Sequence, residues 1–146
     1  MKQWPKHYKV FAGCFLRLTA LAYAFFLFKI WVDTEFRHDL IVEAYGEMGL
    51  FELVYHSYQY LFWFSAAFGS VVGVFMFTPY SARLKQLLTV WTCFWIVTDI
   101  ASAWLITVHA GFAWLLYASG VVLAVTFLIV YLMTQHCLRA KSETAA

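Results

Sequence analysis

Four stretches of this chain, at about 10–32, 53–77, 86–108 and 112–133, are apolar almost throughout. A helix that crosses a bilayer needs about 20 such residues, because in hydrocarbon each backbone polar group must find its partner within the protein. Length alone therefore predicts four transmembrane helices. Composition agrees, at 64% hydrophobic and 12% charged residues, where soluble domains carry about 25% charged. A soluble fold of this size has no interior large enough to hide that much apolar surface.

The breaks between the stretches are equally informative. Thr78-Pro79-Tyr80-Ser81 ends the second run, since Pro79 lacks an N–H and clashes with the preceding turn. Only His109-Ala110-Gly111 separates the third run from the fourth, which requires a tight antiparallel hairpin. The first connection, 33–52, is long and acidic: Asp33, Glu35, Asp39, Glu43, Glu47 and Glu52 stand against Arg37. Its acids at 35, 39, 43 and 47 recur every fourth residue, while Phe36, Leu40, Ile41 and Ala44 fall largely away from them. That pattern predicts a short amphipathic helix lying on the membrane surface, ending near Gly46 or Gly49.

Charge sets the expected orientation. Lys2, Lys6 and Lys9, then Arg83 and Lys85, then Arg139 and Lys141 fall on one side only if there are four spans. Basic loops stay cytoplasmic, so both termini are expected inside and the acidic connection outside. Trp4, Tyr8, Tyr80 and Tyr131 then form an inner aromatic belt, and Trp31, Tyr55, Tyr58, Trp114 and Tyr117 an outer one. Arg17 interrupts what would otherwise resemble a signal-peptide core before Ala20–Ala24, and the apolar run continues to Trp31, so a retained first helix is expected. The chain reads as one transmembrane domain, 1–146, an antiparallel four-helix bundle. A bacterial inner membrane is the expected host.

Net charge is +2 and the chain has no long basic run, which argues against a nucleic-acid partner. Cys14, Cys93 and Cys137 show neither redox nor zinc spacing, and no metal site is expected. Phosphate-binding, dinucleotide and hydrolase motifs are absent.

Polar residues inside the spans are the candidates for function. Asp99 lies in the third run, where an acid at mid-helix costs about 2.5–3.5 kcal/mol to insert. Thr92, Trp95, Asp99 and Ser102 share one helical face. On the second run His56, Gln59 or Tyr60, Trp63, Ala67 and Ser70 form a comparable stripe, with Lys29 and Glu52 near the same membrane level. Together Asp99, His56, Lys29, Glu52, Trp63, Trp95 and Ser102 are expected to outline an outer-leaflet polar pocket, with Trp104 as a further wall. The alternative is structural: Asp99 joins helices by hydrogen bonding, while Lys29 and His56 extend to the interface. Arg17 is expected to snorkel to the inner headgroups. His56 and His109 are a weaker pair of candidates for haem ligation, and no other cofactor is indicated.

Ser65, Gly69 and Gly73 make a small-residue ridge, echoed by Gly120 and Ala124 on the fourth run. Such ridges let helix backbones approach closely in lipid, and packing within the bundle is the expected use. Two functions follow. The favoured one is a small integral subunit that packs against and stabilises or regulates a larger membrane complex, by contact with other chains or copies of itself. The other is a binder, carrier or enzyme for a lipophilic small molecule centred on Asp99, including a quinone or haem redox variant.

Overall fold

The computed structural model describes residues 5–139 and is entirely helical. Lys2, Trp4 and Lys141, assigned above to the inner side, lie outside the described residues. Five α-helices follow in order: α1 (Lys6–Thr34), α2 (His38–Gly46), α3 (Leu50–Phe75), α4 (Ala82–Ile106) and α5 (Ala113–Arg139). Of these, α1, α3, α4 and α5 have the length and hydropathy to cross a membrane. They overrun the apolar stretches at most ends; α1 has 29 residues, about 43 Å at 1.5 Å each, against about 30 Å of hydrocarbon.

Each break has a local cause. Helix α3 stops at Phe75, and Lys85 reaches back to donate to the carbonyls of Met76 and Thr78, both at 2.7 Å, relieving orphaned acceptors at a helix end. Ser81 starts α4 by accepting from the Leu84 N–H at 3.3 Å. Between α4 and α5 the turn is a single 3₁₀ turn, Ala110–Phe112, in which His109 Nδ1 accepts from the Gly111 N–H. Glu52 accepts from the Gly49 N–H at 3.0 Å and so starts α3. The α1–α2 turn is the strained one: Glu35 and Phe36 both have positive φ, 47° and 54°, a conformation that side chains with a Cβ adopt at a cost.

The helix α2 is shorter than the acidic period implied. Glu35 lies in the turn before it and Glu47 just past its end, yet all four acids of the stripe are exposed. Its inward face is Ile41 and Tyr45, packed on Ala103, Ile106 and Ala113 at the α4–α5 turn. The principal core runs from Leu16 through Phe68, Val71 and Phe75 to Leu123 and Val130. Side-chain hydrogen bonds also tie helices together: Trp91 to Thr126 at 3.2 Å, Trp104 to Ser57 at 2.8 Å, and Ser119 to Asp99 at 2.7 Å.

The ridge at Ser65, Gly69 and Gly73 is not used inside the bundle, contrary to expectation. All three are exposed, and a Cβ at Gly69 or Gly73 would meet no atom of the chain within 4 Å. The face of α3 that packs inward is instead Phe64, Phe68, Val71 and Phe75.

Candidate functional site

Asp99 sits on the buried face of α4, only 4% exposed. Its Oδ1 accepts a hydrogen bond from the Ser119 hydroxyl of α5 at 2.7 Å. The same hydroxyl lies 2.9 Å from the Leu116 carbonyl. A hydroxyl has one proton and two lone pairs, so this geometry serves either protonation state. Ionised Asp99 accepts from Ser119; a protonated Asp99 donates to it while Ser119 donates to Leu116. The second carboxyl oxygen has no hydrogen bond to any described residue.

Asp99 borders a cavity of about 390 Å³. Helices α3 and α4 form its back, through Tyr60, Phe64 and Asp99. Helix α1 contributes Tyr23, Phe26 and Leu27, and α5 contributes Tyr117, Gly120 and Ala124. Over one end lie Ile41 and Tyr45 of α2 and Phe36 of the strained turn. Phe36 is 52% exposed and Val121 63%, so the hollow is not fully enclosed at these two lining residues. Gly120 and Ala124 therefore leave space instead of filling it: a Cβ at Gly120 would touch nothing within 4 Å.

The walls are held by ring contacts. Tyr23 stacks on Phe127 at 4.3 Å and meets Phe68 edge-on at 5.8 Å. Phe26 meets Tyr60 and Phe64 edge-on at 5.3 and 5.7 Å, arrangements favoured by the aromatic quadrupole. Tyr117 donates its hydroxyl proton to the Phe36 carbonyl, tying the α1–α2 turn to α5. Tyr45 and Tyr60 bring their hydroxyls to 3.5 Å. Burial, then the neighbouring Tyr60, raise Tyr45 above the usual phenol range, so it stays a neutral hydrogen-bonding group at physiological pH.

The residues singled out from sequence separate into several places. His56 lies beyond the Tyr45–Tyr60 pair, its ring 4.0 Å from Tyr60 and 4.9 Å from Tyr45. With Glu52, Glu43 and Glu47 it lines a second hollow of about 470 Å³ against α2, which Asp99 does not reach. Lys29 points away from the cavity and pairs with Asp33 one turn on, its side chain 73% exposed. Trp63 is half exposed on the outside of α3. Trp95 is half-buried against the core, its ring edge-on to the exposed Trp91 and Phe94, with its buried indole N–H unpartnered. Ser102 is buried beside Asp99 but donates to the Asp99 backbone carbonyl at 2.6 Å. His109 is exposed at its turn and lines neither hollow. Arg17 is exposed on the outside of α1.

Asp99 is thus central, but its companions are Ser119, Tyr23, Tyr45 and Tyr60. Tyr60 was an alternative in the α3 stripe; the other three gave no separate signal, since a tyrosine or serine in an apolar run looks the same on either face. Among the described residues, no group of three or more His, Cys, Asp or Glu is placed to hold a metal ion.

Fold and site together define a small polytopic integral membrane protein with a hollow in its helix bundle. The chain belongs to the Aq_1264_TM family, a transmembrane helical domain, which residues 43–144 match. The match starts within α2 and takes in α3, α4 and α5, leaving α1, one wall of the cavity, outside it. No curated protein and no solved structure matches the chain.

Proposed function

We propose that this protein binds a lipophilic small molecule in the Asp99 cavity, as a binder or carrier, and that it works as one domain. The observation that carries the reading is a buried carboxyl, one of whose oxygens has no hydrogen bond to a described residue, in the wall of an apolar hollow rich in aromatic rings and incompletely enclosed. Ligand sites are mostly apolar concavities with a few placed polar groups, and an acid inside the membrane marks function more often than packing. His56 and Glu52 belong to the neighbouring hollow, and Lys29 to the exterior. The test is native mass spectrometry of the chain extracted gently from its own membrane. A discrete small-molecule adduct is expected; a bare chain, in repeated extractions that keep lipids bound, contradicts the reading.

One observation favours the subunit reading as a second. Ser65, Gly69 and Gly73 face outward with nothing over them, and a close-approach ridge on an exterior face suits another helix. Gly69→Leu and Gly73→Leu would then release a co-purifying chain without lowering the stability of the isolated bundle. Co-purification that is unchanged by both, or absent from the start, speaks against it.

The basic connections place both termini on the cytoplasmic side in this proposal, with α2 and the rim of the cavity at the outer surface of a bacterial inner membrane. A cysteine replacing Glu43 should react with a membrane-impermeant maleimide added outside intact cells. Labelling only after lysis reverses the orientation.

A further inference from the structure

The cavity carries more than a polar end and an apolar body; its charge is one-sided. Among the described residues that line it, Asp99 is the only carboxyl group, and no lysine, arginine or histidine lines it. The nearest candidates for a counter-charge are engaged elsewhere. Lys29 pairs with Asp33, Arg37 pairs with Asp39, and His56 stands on the far side of Tyr45 and Tyr60. Among the described residues no cation lies within ion-pair distance of Asp99.

We infer that the ligand is a lipophilic amine, whose protonated nitrogen meets the free oxygen of Asp99 while its carbon body lies among the rings of α1, α3 and α5. This rests on the cavity reading and adds the chemical class. Three features support it. A carboxylate is acceptor-only and an ammonium donor-only, so the pair satisfies both and buries no net charge. Tyr23, Phe26, Tyr60 and Phe64 stand around the same space, and aromatic faces attract cations, most strongly where water is excluded. Ser119 accommodates the proton balance. A neutral amine takes the proton of a protonated Asp99 from the carboxyl oxygen it meets, while Ser119 donates to the other, Oδ1, with the Leu116 carbonyl as its alternative acceptor. An amine that enters protonated meets an Asp99 that is already ionised. In both cases the bound state is the same ion pair. A fatty acid or other anionic amphiphile would put like charges together and leave both unpaired.

The experiment uses the full chain in nanodiscs of zwitterionic lipid, with empty nanodiscs as the partition control. Three probes share one body and differ in the head: naphthylethylamine, naphthylethanol and naphthylpropionate, titrated by calorimetry near neutral pH. The amine is expected to bind about tenfold tighter than the alcohol, from one desolvated charge-assisted contact with aromatic support, and the carboxylate not measurably. Asp99→Asn should bring the amine down to the level of the alcohol. Equal binding of amine and alcohol overturns the amine class while leaving the cavity reading standing. Failure of all three probes on the wild-type chain overturns both. The wild-type comparison decides even if Asp99→Asn does not fold, and Ser119→Ala, which keeps the carboxyl, should narrow the preference without abolishing it.

Discussion

At the Pro79 end of the bundle, Leu16, Phe75 and Val130 close on one another with no measurable exposure, whereas at the α2 end the same helices stand around about 390 Å³ of space. The difference lies mainly in α5. Its Leu123, Phe127 and Val130 fill one half, while Gly120 and Ala124 leave the other half empty opposite Tyr23 and Leu27 of α1. In water such a hollow would tend to be squeezed shut by the hydrophobic effect. In lipid the surroundings are as apolar as the interior, so helices associate through shape and hydrogen bonds. A cavity at one end is therefore tolerable provided the other end is packed tightly. The closed half gives the bundle its cohesion and the open half gives it a site.

The contrast is sharpest if large side chains are removed from each half. Phe75→Ala should cost on the order of 3 kcal/mol of unfolding free energy, by lost contacts and a new void. Phe64→Ala borders space that already exists and should cost about 1–2 kcal/mol less. Equilibrium unfolding in mixed micelles measures both; equal losses would mean that the two halves do not differ.

Adding volume gives the complementary result. Ala12→Leu in the closed half should destabilise by about 1–3 kcal/mol through overpacking. Gly120→Leu should leave stability unchanged, because a Cβ there meets nothing within 4 Å, and should abolish ligand binding. A large loss of stability from Gly120→Leu would show that the hollow closes in the bilayer.

A smaller effect is expected at the Asp99–Ser119 contact. Ser119→Ala should cost about 0.6 kcal/mol, typical of an interhelical hydrogen bond in a membrane protein. A cost several times larger would make the pair a structural joint and weaken the functional reading of Asp99.

The smallest effect concerns the cover over the open end. The hydrogen bond from Arg37, supported by backbone hydrogen bonding at the start of α2 and by the Arg37 charge, holds Asp39 below the usual carboxylate range. A depressed native value stabilises α2 above the ordinary aspartate pKa of about 4 and is lost as pH falls through the lower native value. Both side chains are exposed, so the change should be confined to faster hydrogen exchange in α2 in that acid range, and Asp39→Asn should remove the pH dependence. Persistence of the dependence in Asp39→Asn would move its origin to another group.

How much of this was legible in the residues depends on what set each feature. Four helices of spanning length, the break near Pro79 and the α4–α5 hairpin follow from bilayer thickness and proline chemistry, although the helices overrun the apolar stretches at most ends. The shared face of Asp99 and Ser102 follows from helical period alone. The partners of Asp99 were not legible, because an apolar exterior removes the amphipathic stripe that would reveal how a helix is rotated. On α3 the stripe His56, Gln59 or Tyr60, Trp63, Ala67 and Ser70 did not stay together: packing turned Tyr60 inward beside Phe64 and left Trp63 outside. The same ambiguity sent the Gly69 ridge outward and let Lys29 satisfy itself with Asp33 on its own helix.

Lipophilic carbodiimide labelling tests the central claim most directly, that Asp99 is reachable from lipid through the open half. Dicyclohexylcarbodiimide modifies protonated carboxyl groups inside membranes, and peptide mass spectrometry locates the adduct. Modification at Asp99 that is lost in Gly120→Leu and slowed by naphthylethylamine is the predicted result. Modification confined to exposed acids such as Glu43, or equal at Asp99 in both proteins, would contradict it.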